Sequence, residues 1–253
     1  MMKLVDTHCH IHESTYSLDA DAVLVRAREA GVEKVICVGT DAQSSLDAVR
    51  FAAARDGVFA STGIHPHEAK FGVDGIASAL AADSAQKIVA IGEIGLDYFY
   101  SHSTREEQLP LLEQQLQLAV DRNLPVIFHV REAFEDFWPV FGNFPSIRGV
   151  LHSFTDSAKT MEKALENGLF IGVNGISTFT KVPQQQAMFA SIPVEKLLLE
   201  TDAPFLTPAP LRGKVNESAY VSLVASHHAR IRGMHESNLS AITTANAEAL
   251  FSI

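Results

Sequence analysis

Two histidines stand two residues apart near the start of the chain, in the sequence Asp6-Thr7-His8-Cys9-His10. Apolar residues precede them, and residues at i and i+2 of a β-strand point to the same side. The His8 and His10 imidazoles are therefore predicted to reach one metal ion, whereas Cys9 points the other way and is interpreted as a small core residue. The pair alone is a weak signal, because a single histidine at a strand end is more often structural.

Ionisable side chains also follow most of the other apolar runs of the chain. They are His65 and His67, Glu93 and Asp97, His129, His152, and Glu200 and Asp202. Burying so many ionisable groups without partners would cost on the order of several kcal/mol each, and a cation is one common compensation. Because imidazole and carboxylate together suit zinc, manganese, iron or nickel, the pattern indicates a metal-dependent enzyme.

Eight short apolar runs alternate with longer amphipathic stretches. The runs cover residues 3–10, 34–40, 58–64, 88–92, 125–130, 149–153, 169–173 and 197–201. They are rich in Val, Ile, Leu and Phe without strict alternation, which is typical of parallel strands buried on both faces. The 253 residues are therefore predicted to form one α/β domain, residues 1–253, with the fold of a single (β/α)8 TIM barrel. A doubly wound open sheet is the alternative, although such a sheet usually has fewer strands.

The stretches between the runs are predicted as helices. They cover residues 19–30, 103–122, 157–166, 183–190 and 217–230. The second is the strongest case, because apolar residues recur in it at helical spacing and Ser103 or Thr104 can cap its start. Active sites of (β/α)8 barrels form at the C-terminal ends of the strands, which is where the ionisable residues are predicted to lie.

Composition limits the range of partners. The formal net charge of −10 argues against a broad basic surface for duplex DNA, although a locally positive pocket remains compatible with it. Two cysteines, Cys9 and Cys37, predict a reducing compartment rather than a disulfide framework. The sequence contains no recognisable signal peptide and no apolar stretch of about 20 residues, so a cytoplasmic protein without a membrane span is expected. A monomer is also expected.

Six motifs of the chain occur together in a fixed order. They are Asp6-Thr7-His8-Cys9-His10, Gly63-Ile64-His65-Pro66-His67, Gly92-Glu93-Ile94-Gly95-Leu96-Asp97-Tyr98, Phe128-His129-Val130-Arg131, His152-Ser153-Phe154 and Glu200-Thr201-Asp202-Ala203-Pro204. In this order they resemble the signatures of the TatD family of metal-dependent deoxyribonucleases and related hydrolases, within the amidohydrolase superfamily. The resemblance extends from Asp6 to Phe251.

This resemblance implies a binuclear metal site at the mouth of the barrel, holding two divalent ions such as Zn, Mn or Mg. The implied ligands are His8, His10 and Asp202 for one ion and His129 and His152 for the other, with Glu93 bridging the two. His65 would sit beside the site and contact the scissile phosphate or the attacking water.

Such a centre would hydrolyse a phosphodiester. Two divalent ions can acidify a shared water and hold a phosphoryl oxygen, with Asp202 as the candidate general base, His65 as the candidate acid and Glu93 between the ions. The leading prediction is a deoxyribonuclease that acts on single strands or DNA ends. The alternative is a hydrolase of a small amide, lactone or ester, including aminoacyl esters, since the same centre polarises a carbonyl. Net charge favours the alternative, whereas the motifs favour DNA.

Several further residues are candidates for substrate binding. Arg131 either grips a substrate phosphate or pairs with Glu132 or Glu135, and the two interpretations carry equal weight. The aromatic residues that could stack on bases are Tyr98, Phe99, Tyr100, Phe154 and Phe205. For the last two, packing in the core is an equal alternative.

Overall fold

The structure is a computed structural model that describes residues 3–253, within which strands and helices alternate. The strands are β1 (Leu4–Cys9), β2 (Val32–Val38), β3 (Val58–Thr62), β4 (Ile88–Asp97), β5 (Val126–Arg131), β6 (Gly149–Leu151), β7 (Phe170–Val173) and β8 (Leu197–Leu199). The α-helices are α1 (Ala20–Glu29), α2 (Ala42–Ala53), α3 (Ile76–Ala82), α4 (Arg105–Arg122), α5 (Phe134–Gly142), α6 (Ala158–Glu166), α7 (Ile176–Phe179), α8 (Pro183–Ser191), α9 (Val221–Arg232) and α10 (Glu236–Phe251). Short 3₁₀ segments cover Pro66–Phe71, Val194–Lys196 and Ser218–Tyr220.

The strands follow one another in sequence order from β1 to β8. The pairs β3/β4, β4/β5, β5/β6 and β7/β8 are parallel. This is the order of a (β/α)8 fold, whereas a doubly wound sheet reverses its strand order at a switch point. The predicted (β/α)8 class is therefore confirmed. Among residues 3–253, no helix combines the length and the apolar character needed to cross a membrane.

The chain divides into two compact units. One contains the residues up to Ile36 together with His152–Ile253, and the other contains Cys37–Leu151. In the first unit β1 lies beside the end of β8, because the Asp202 amide donates to the His8 carbonyl at 2.8 Å and the His10 amide donates to the Ala203 carbonyl at 2.7 Å. The first and last motifs of the chain are thereby adjacent.

The second unit is built around β3, β4 and β5, with α4 packed against β4. The α4 helix begins at Arg105 with Thr104 as its N-cap, in a capping box with Glu107. Of the two residues predicted to cap this helix, Thr104 is therefore the one that does so. Ser103 is buried instead, and its hydroxyl donates to the His67 carbonyl at 2.8 Å.

Strand β4 is longer than the sequence predicts, since it continues past Gly92 as far as Asp97. Its second half pairs with β5 in the register Gly95↔His129 and Asp97↔Arg131. A Cβ atom at Gly95 would lie 1.8 Å from the His129 carbonyl oxygen, and its φ is +153°, so only glycine allows this close pairing. The polar residues of this motif consequently lie within the strand rather than after it.

Candidate metal centre

In the first unit, two imidazoles and a carboxylate converge where β1 meets the end of β8. The Nε2 atoms of His8 and His10 are 3.1 Å apart. They lie 3.6 Å and 3.5 Å, respectively, from Oδ1 of Asp202. The strand geometry predicted for the HxH pair is confirmed, since both rings face the same point. We call His8, His10 and Asp202 the first cluster; its three ligand atoms lie within 4.8 Å of one another.

Buried hydrogen bonds beneath the first cluster hold β1 against β8. Asp6 is fully buried and accepts from the Thr201 amide at 2.8 Å and from the Thr201 hydroxyl at 2.7 Å. Burial raises the pKa of Asp6 to about 7, against the opposing effect of hydrogen bonds from Ser218 and Thr201. Asp6 thus fixes the register that brings His8 level with Asp202.

The electrostatics of the first cluster favour an ionised carboxylate. Burial raises the pKa of Asp202, but the hydrogen bond with His10 and the charges of His8 and His152 outweigh burial and leave the pKa below its usual value. Asp202 also has a φ of +58°, a left-handed conformation that aspartate tolerates better than most residues. An ionised Asp202 is the state that both a metal ligand and a general base require.

His152 lies against the first cluster and has an acidic neighbour of its own. Its ring stacks on the His8 ring, with centroids 3.9 Å apart. Its Nδ1 lies 3.4 Å from Oε1 of Glu200, which also accepts from the Ser153 amide at 2.6 Å. A buried carboxylate beside the second ring nitrogen is the usual way in which proteins orient a metal-binding histidine. Glu200 is visible in the sequence as an acid after an apolar run, but the sequence alone predicts no role for it.

In the second unit, β3, β4 and β5 bring together a second set of donors. Oε1 of Glu93 lies 2.9 Å from Nδ1 of His129 and 3.7 Å from Nε2 of His65. We call these three residues the second cluster; its ligand atoms also lie within 4.8 Å of one another. Glu93 is buried, with 4% of its surface exposed, so its charge requires compensation from the two imidazoles or from a cation.

Hydrogen bonds place the hydrogen on Nε2 in both His65 and His129, but the two rings turn opposite nitrogens towards Glu93. His65 Nδ1 accepts from the His67 amide at 3.1 Å, so in the neutral ring the hydrogen is on Nε2 and that atom is a donor. His129 Nε2 lies 2.8 Å from Oδ2 of Asp97, so it carries the hydrogen and Nδ1 keeps a lone pair. His129 therefore suits a metal ion, whereas His65 suits hydrogen-bond donation to a substrate.

Asp97 is a functional candidate that is visible in the sequence as an acid after an apolar run but is not among the predicted site residues. Its Oδ2 accepts from Nε2 of both His129 and His67, the latter at 3.1 Å, and its Oδ1 accepts from the Phe99 and Tyr100 amides. Burial raises the pKa of Asp97, but these hydrogen bonds and the His129 charge hold the pKa well below its usual range. The clue in the sequence is that Asp97 lies in the same motif as Glu93, four residues after it.

Two glutamines of α4 fix the backbone of the second cluster. Gln108 accepts from the Asp97 amide at 2.8 Å and donates to the Asp97 carbonyl at 2.9 Å. Gln115, two turns later, accepts from the Ile64 amide at 2.7 Å and donates to the Ile64 carbonyl at 3.1 Å. Both side chains are buried. Gln108 therefore positions Asp97, and Gln115 positions His65, which directly follows Ile64.

The donors of the first cluster, and Glu93 and His129 of the second, fit a divalent transition metal. Imidazole nitrogen and carboxylate oxygen are the ligands of zinc and manganese centres. Cys9 supplies no ligand, since it is buried and its thiol donates to the Ile36 carbonyl at 3.4 Å. His12 lies in a turn after β1, with its ring centroid 6.4 Å from that of His10.

The remaining candidates for substrate binding differ in how much of their side chains is exposed to solvent. Phe154 is 4% exposed and belongs to the core, whereas Phe205 is 59% exposed. Tyr98 donates its hydroxyl to Asp136 at 2.8 Å. Phe99 and Tyr100 are exposed. Of the two interpretations of Arg131, pairing with Glu132 or Glu135 is not seen among residues 3–253; its guanidinium lies over the Phe99 ring instead.

Comparison with known proteins gives consistent matches over nearly the whole chain. A family model described as TatD related DNase matches residues 5–252. The uncharacterized metal-dependent hydrolase YabD of Bacillus subtilis is 35% identical over 253 residues, covering 99% of each chain. TatD of Klebsiella pneumoniae, named a 3'-5' ssDNA/RNA exonuclease, is 35% identical over 260 residues, covering 99% of this chain and 98% of its own.

A solved structure agrees with these matches. The crystal structure of YJJV, a TatD homologue from Escherichia coli K12, has a TM-score of 0.89 and 30% identity, covering 99% of this chain and 98% of the other. Family match, relatives and structure all extend across both clusters. The protein belongs to the TatD family of metal-dependent hydrolases.

Proposed function

We propose that this protein is a metal-dependent deoxyribonuclease that hydrolyses phosphodiester bonds in single-stranded DNA or at DNA ends. The observation that carries the proposal is the first cluster, with two imidazoles and one carboxylate within 4.8 Å, together with Glu93 at 2.9 Å from Nδ1 of His129. The Klebsiella pneumoniae relative named as a ssDNA/RNA exonuclease supports the choice of substrate. We further propose a cytoplasmic monomer that acts as one domain over residues 1–253.

The proposed ligand sets follow the family resemblance. They are His8, His10 and Asp202 for one divalent ion and His129 and His152 for the second, with Glu93 shared between them. Zn, Mn and Mg are the candidate ions. When bound, such ions supply positive charge that polarises a phosphoryl oxygen and acidifies a nearby water.

The protein's own groups have distinct tasks in this reaction. Asp202, whose pKa its histidine neighbours hold down, is ionised and accepts the proton of the attacking water. His65 donates a hydrogen bond from Nε2 to an oxygen of the scissile phosphate, because its Nδ1 is already an acceptor for the His67 amide. Asp97 holds the His129 ring in the orientation that turns Nδ1 towards Glu93.

A substrate comparison tests the proposal. The protein is stripped with a chelator, reloaded separately with Mg²⁺, Mn²⁺ or Zn²⁺, and given end-labelled single-stranded DNA beside panels of amides, lactones and esters. We expect metal-dependent shortening of the DNA. Activity confined to the panels would contradict the proposed substrate and favour the small-molecule alternative.

Matched variants test the role of the site. Asp202→Asn is expected to lower kcat on DNA by about 100-fold or more, because the base is lost. Asp121→Asn is the control, since Asp121 is an exposed aspartate near the end of α4. Full activity in the Asp202 variant would remove this residue from the mechanism.

A further inference from the structure

Two exposed aromatic residues directly follow β4 in the second unit. Phe99 is 49% exposed and Tyr100 is 43% exposed, with ring centroids 4.7 Å apart. Their backbone amides both donate to Oδ1 of Asp97, at 3.0 Å and 3.1 Å. Because Asp97 is itself buried, these rings stand on a fixed backbone although they face solvent.

Arg131, at the end of β5, completes this surface. Its guanidinium carbon lies 3.8 Å from the centre of the Phe99 ring and 5.0 Å from that of Tyr100. The side chain is exposed, and no carboxylate within residues 3–253 forms an ion pair with it. A stacked guanidinium keeps its N–H edge available, and that edge matches the geometry of a phosphate. We call Phe99, Tyr100 and Arg131 the aromatic platform.

The aromatic platform adjoins the second cluster. The His67 ring lies 5.3 Å from the Tyr100 ring and 6.3 Å from the His129 ring. His67 and His129 share the Oδ2 atom of Asp97. One buried carboxylate therefore fixes both the histidine of the second cluster and the two exposed rings, so the distance between them is defined by direct contacts within one unit.

We propose that the aromatic platform is a nucleotide-binding subsite for a single-stranded polynucleotide. A base of a nucleotide next to the scissile phosphodiester stacks on Tyr100. Phe99, whose ring is nearly perpendicular to that of Tyr100, holds Arg131 in place to bind the phosphate of that nucleotide. Aromatic stacking accepts any base, and one cation beside it attracts the backbone without a broad basic surface. This inference rests on the proposed function, and it reconciles that function with a net charge of −10.

Kinetics with two substrates test the subsite. The double variant Phe99→Leu with Tyr100→Leu, and the variant Arg131→Gln, are compared with the parent, all metal-loaded, on a labelled single-stranded oligodeoxynucleotide and on bis(4-nitrophenyl) phosphate. Stacking predicts a KM for the oligonucleotide that is raised about 5- to 100-fold in the double variant, with kcat little changed. The small diester has no neighbouring nucleotide, so its kcat/KM is expected to stay within about two-fold.

The chain offers a matched control. The Arg55 guanidinium, just after the end of α2, lies 3.9 Å from the centre of the Phe51 ring on that helix, a stacked pair like that of Arg131 and Phe99. Arg55→Gln is expected to leave the KM for the oligonucleotide unchanged. Fluorescence of 2-aminopurine placed near the cleaved end gives a second readout, since stacking quenches it in the parent and the double variant relieves the quenching.

The outcomes separate the subsite from the proposed function. If the parent cleaves the oligonucleotide and the variants have the same KM, the subsite is wrong and the function stands. If the variants lose kcat/KM equally on both substrates, the subsite is also wrong, because such losses indicate damage to the metal centre. If the parent cleaves neither substrate, the proposed function fails, and anisotropy of the labelled oligonucleotide decides the subsite: weaker binding by the variants than by the parent supports it, and equal or absent binding overturns it.

Discussion

At the scale of single residues, the structure separates histidines that look alike in the sequence. His65 and His129 both follow buried strands and both face Glu93. Their second ring nitrogens differ, since one accepts from a backbone amide and the other donates to Asp97. A neutral imidazole has one donor and one acceptor, so this second contact decides which ring can bind a metal.

The first prediction concerns these two histidines. His65→Ala is expected to retain the full metal content while kcat on DNA falls by about 100-fold, because a donor to the phosphate is lost. His129→Ala is expected to lose part of the metal, measured by plasma mass spectrometry after dialysis. His235→Asn is the control, since His235 is an exposed helix cap. Loss of metal from the His65 variant would assign that residue as a ligand instead.

The second prediction concerns Asp97. Asp97→Asn is expected to weaken metal binding by about 10- to 100-fold, because an amide is a poorer acceptor for His129 and His67 than a carboxylate. Competition with a chelating dye measures the affinity without relying on activity. Asp136→Asn is the matched control, since Asp136 is also held by hydrogen bonds, from Arg105 and Tyr98, but contacts neither cluster. Equal affinities in the parent and the Asp97 variant would make Asp97 merely structural.

At the scale of elements, the periodicity of apolar residues predicted the strands other than β4, and the helices α1, α4, α6, α8 and α9, to within a few residues. For β4 it predicted only the first half. It did not predict how far β4 extends, because Gly92 and Gly95 end the apolar run in the sequence. Those glycines instead admit close pairing with β5, a tertiary effect that local composition does not contain. Candidate ligands were similarly visible as polar residues after apolar runs.

The residues that orient the ligands were harder to predict from the sequence. Gln108 and Gln115 belong to a helix whose exposed face also carries glutamines, so residue type alone does not distinguish them. What distinguishes them is burial against the backbone of β4 and of the residues after β3, which depends on where the helix packs. Asp97 and Glu200 were visible as acids, but their histidine partners are distant in sequence.

The third prediction tests one of these glutamines. Gln115→Leu leaves the buried amide and carbonyl of Ile64 without partners, and is expected to lower the free energy of unfolding by about 2 to 4 kcal/mol. Gln114→Leu is the control, because Gln114 is exposed on the same helix. Urea unfolding followed by circular dichroism measures both. A Gln115 variant as stable as the control would show that these two hydrogen bonds contribute little.

At the scale of the whole molecule, buried ionisable groups outside the two clusters couple stability to pH. His228 is fully buried in α9, where its Nδ1 accepts from Arg232 at 2.7 Å and its Nε2 donates to Ser177 at 2.9 Å. Burial, reinforced by the Arg232 charge, lowers the pKa of His228 well below its ordinary value of 6.5. A second proton would have to occupy Nδ1, which already faces a guanidinium.

The fourth prediction follows from this arrangement. Below pH 6.5 His228 binds a proton in the unfolded chain but not in the folded chain. The contribution of this residue therefore lowers the free energy of unfolding as pH falls, by up to about 1.4 kcal/mol per pH unit. Asp6, whose pKa is raised to about 7, acts in the opposite direction, so the informative quantity is the difference between His228→Gln and the parent at each pH. Urea unfolding between pH 7.5 and 5, with chelator present throughout, is expected to show the variant gaining relative stability as pH falls. A difference that stays constant with pH would mean that the pKa of His228 is the same in the folded and unfolded states.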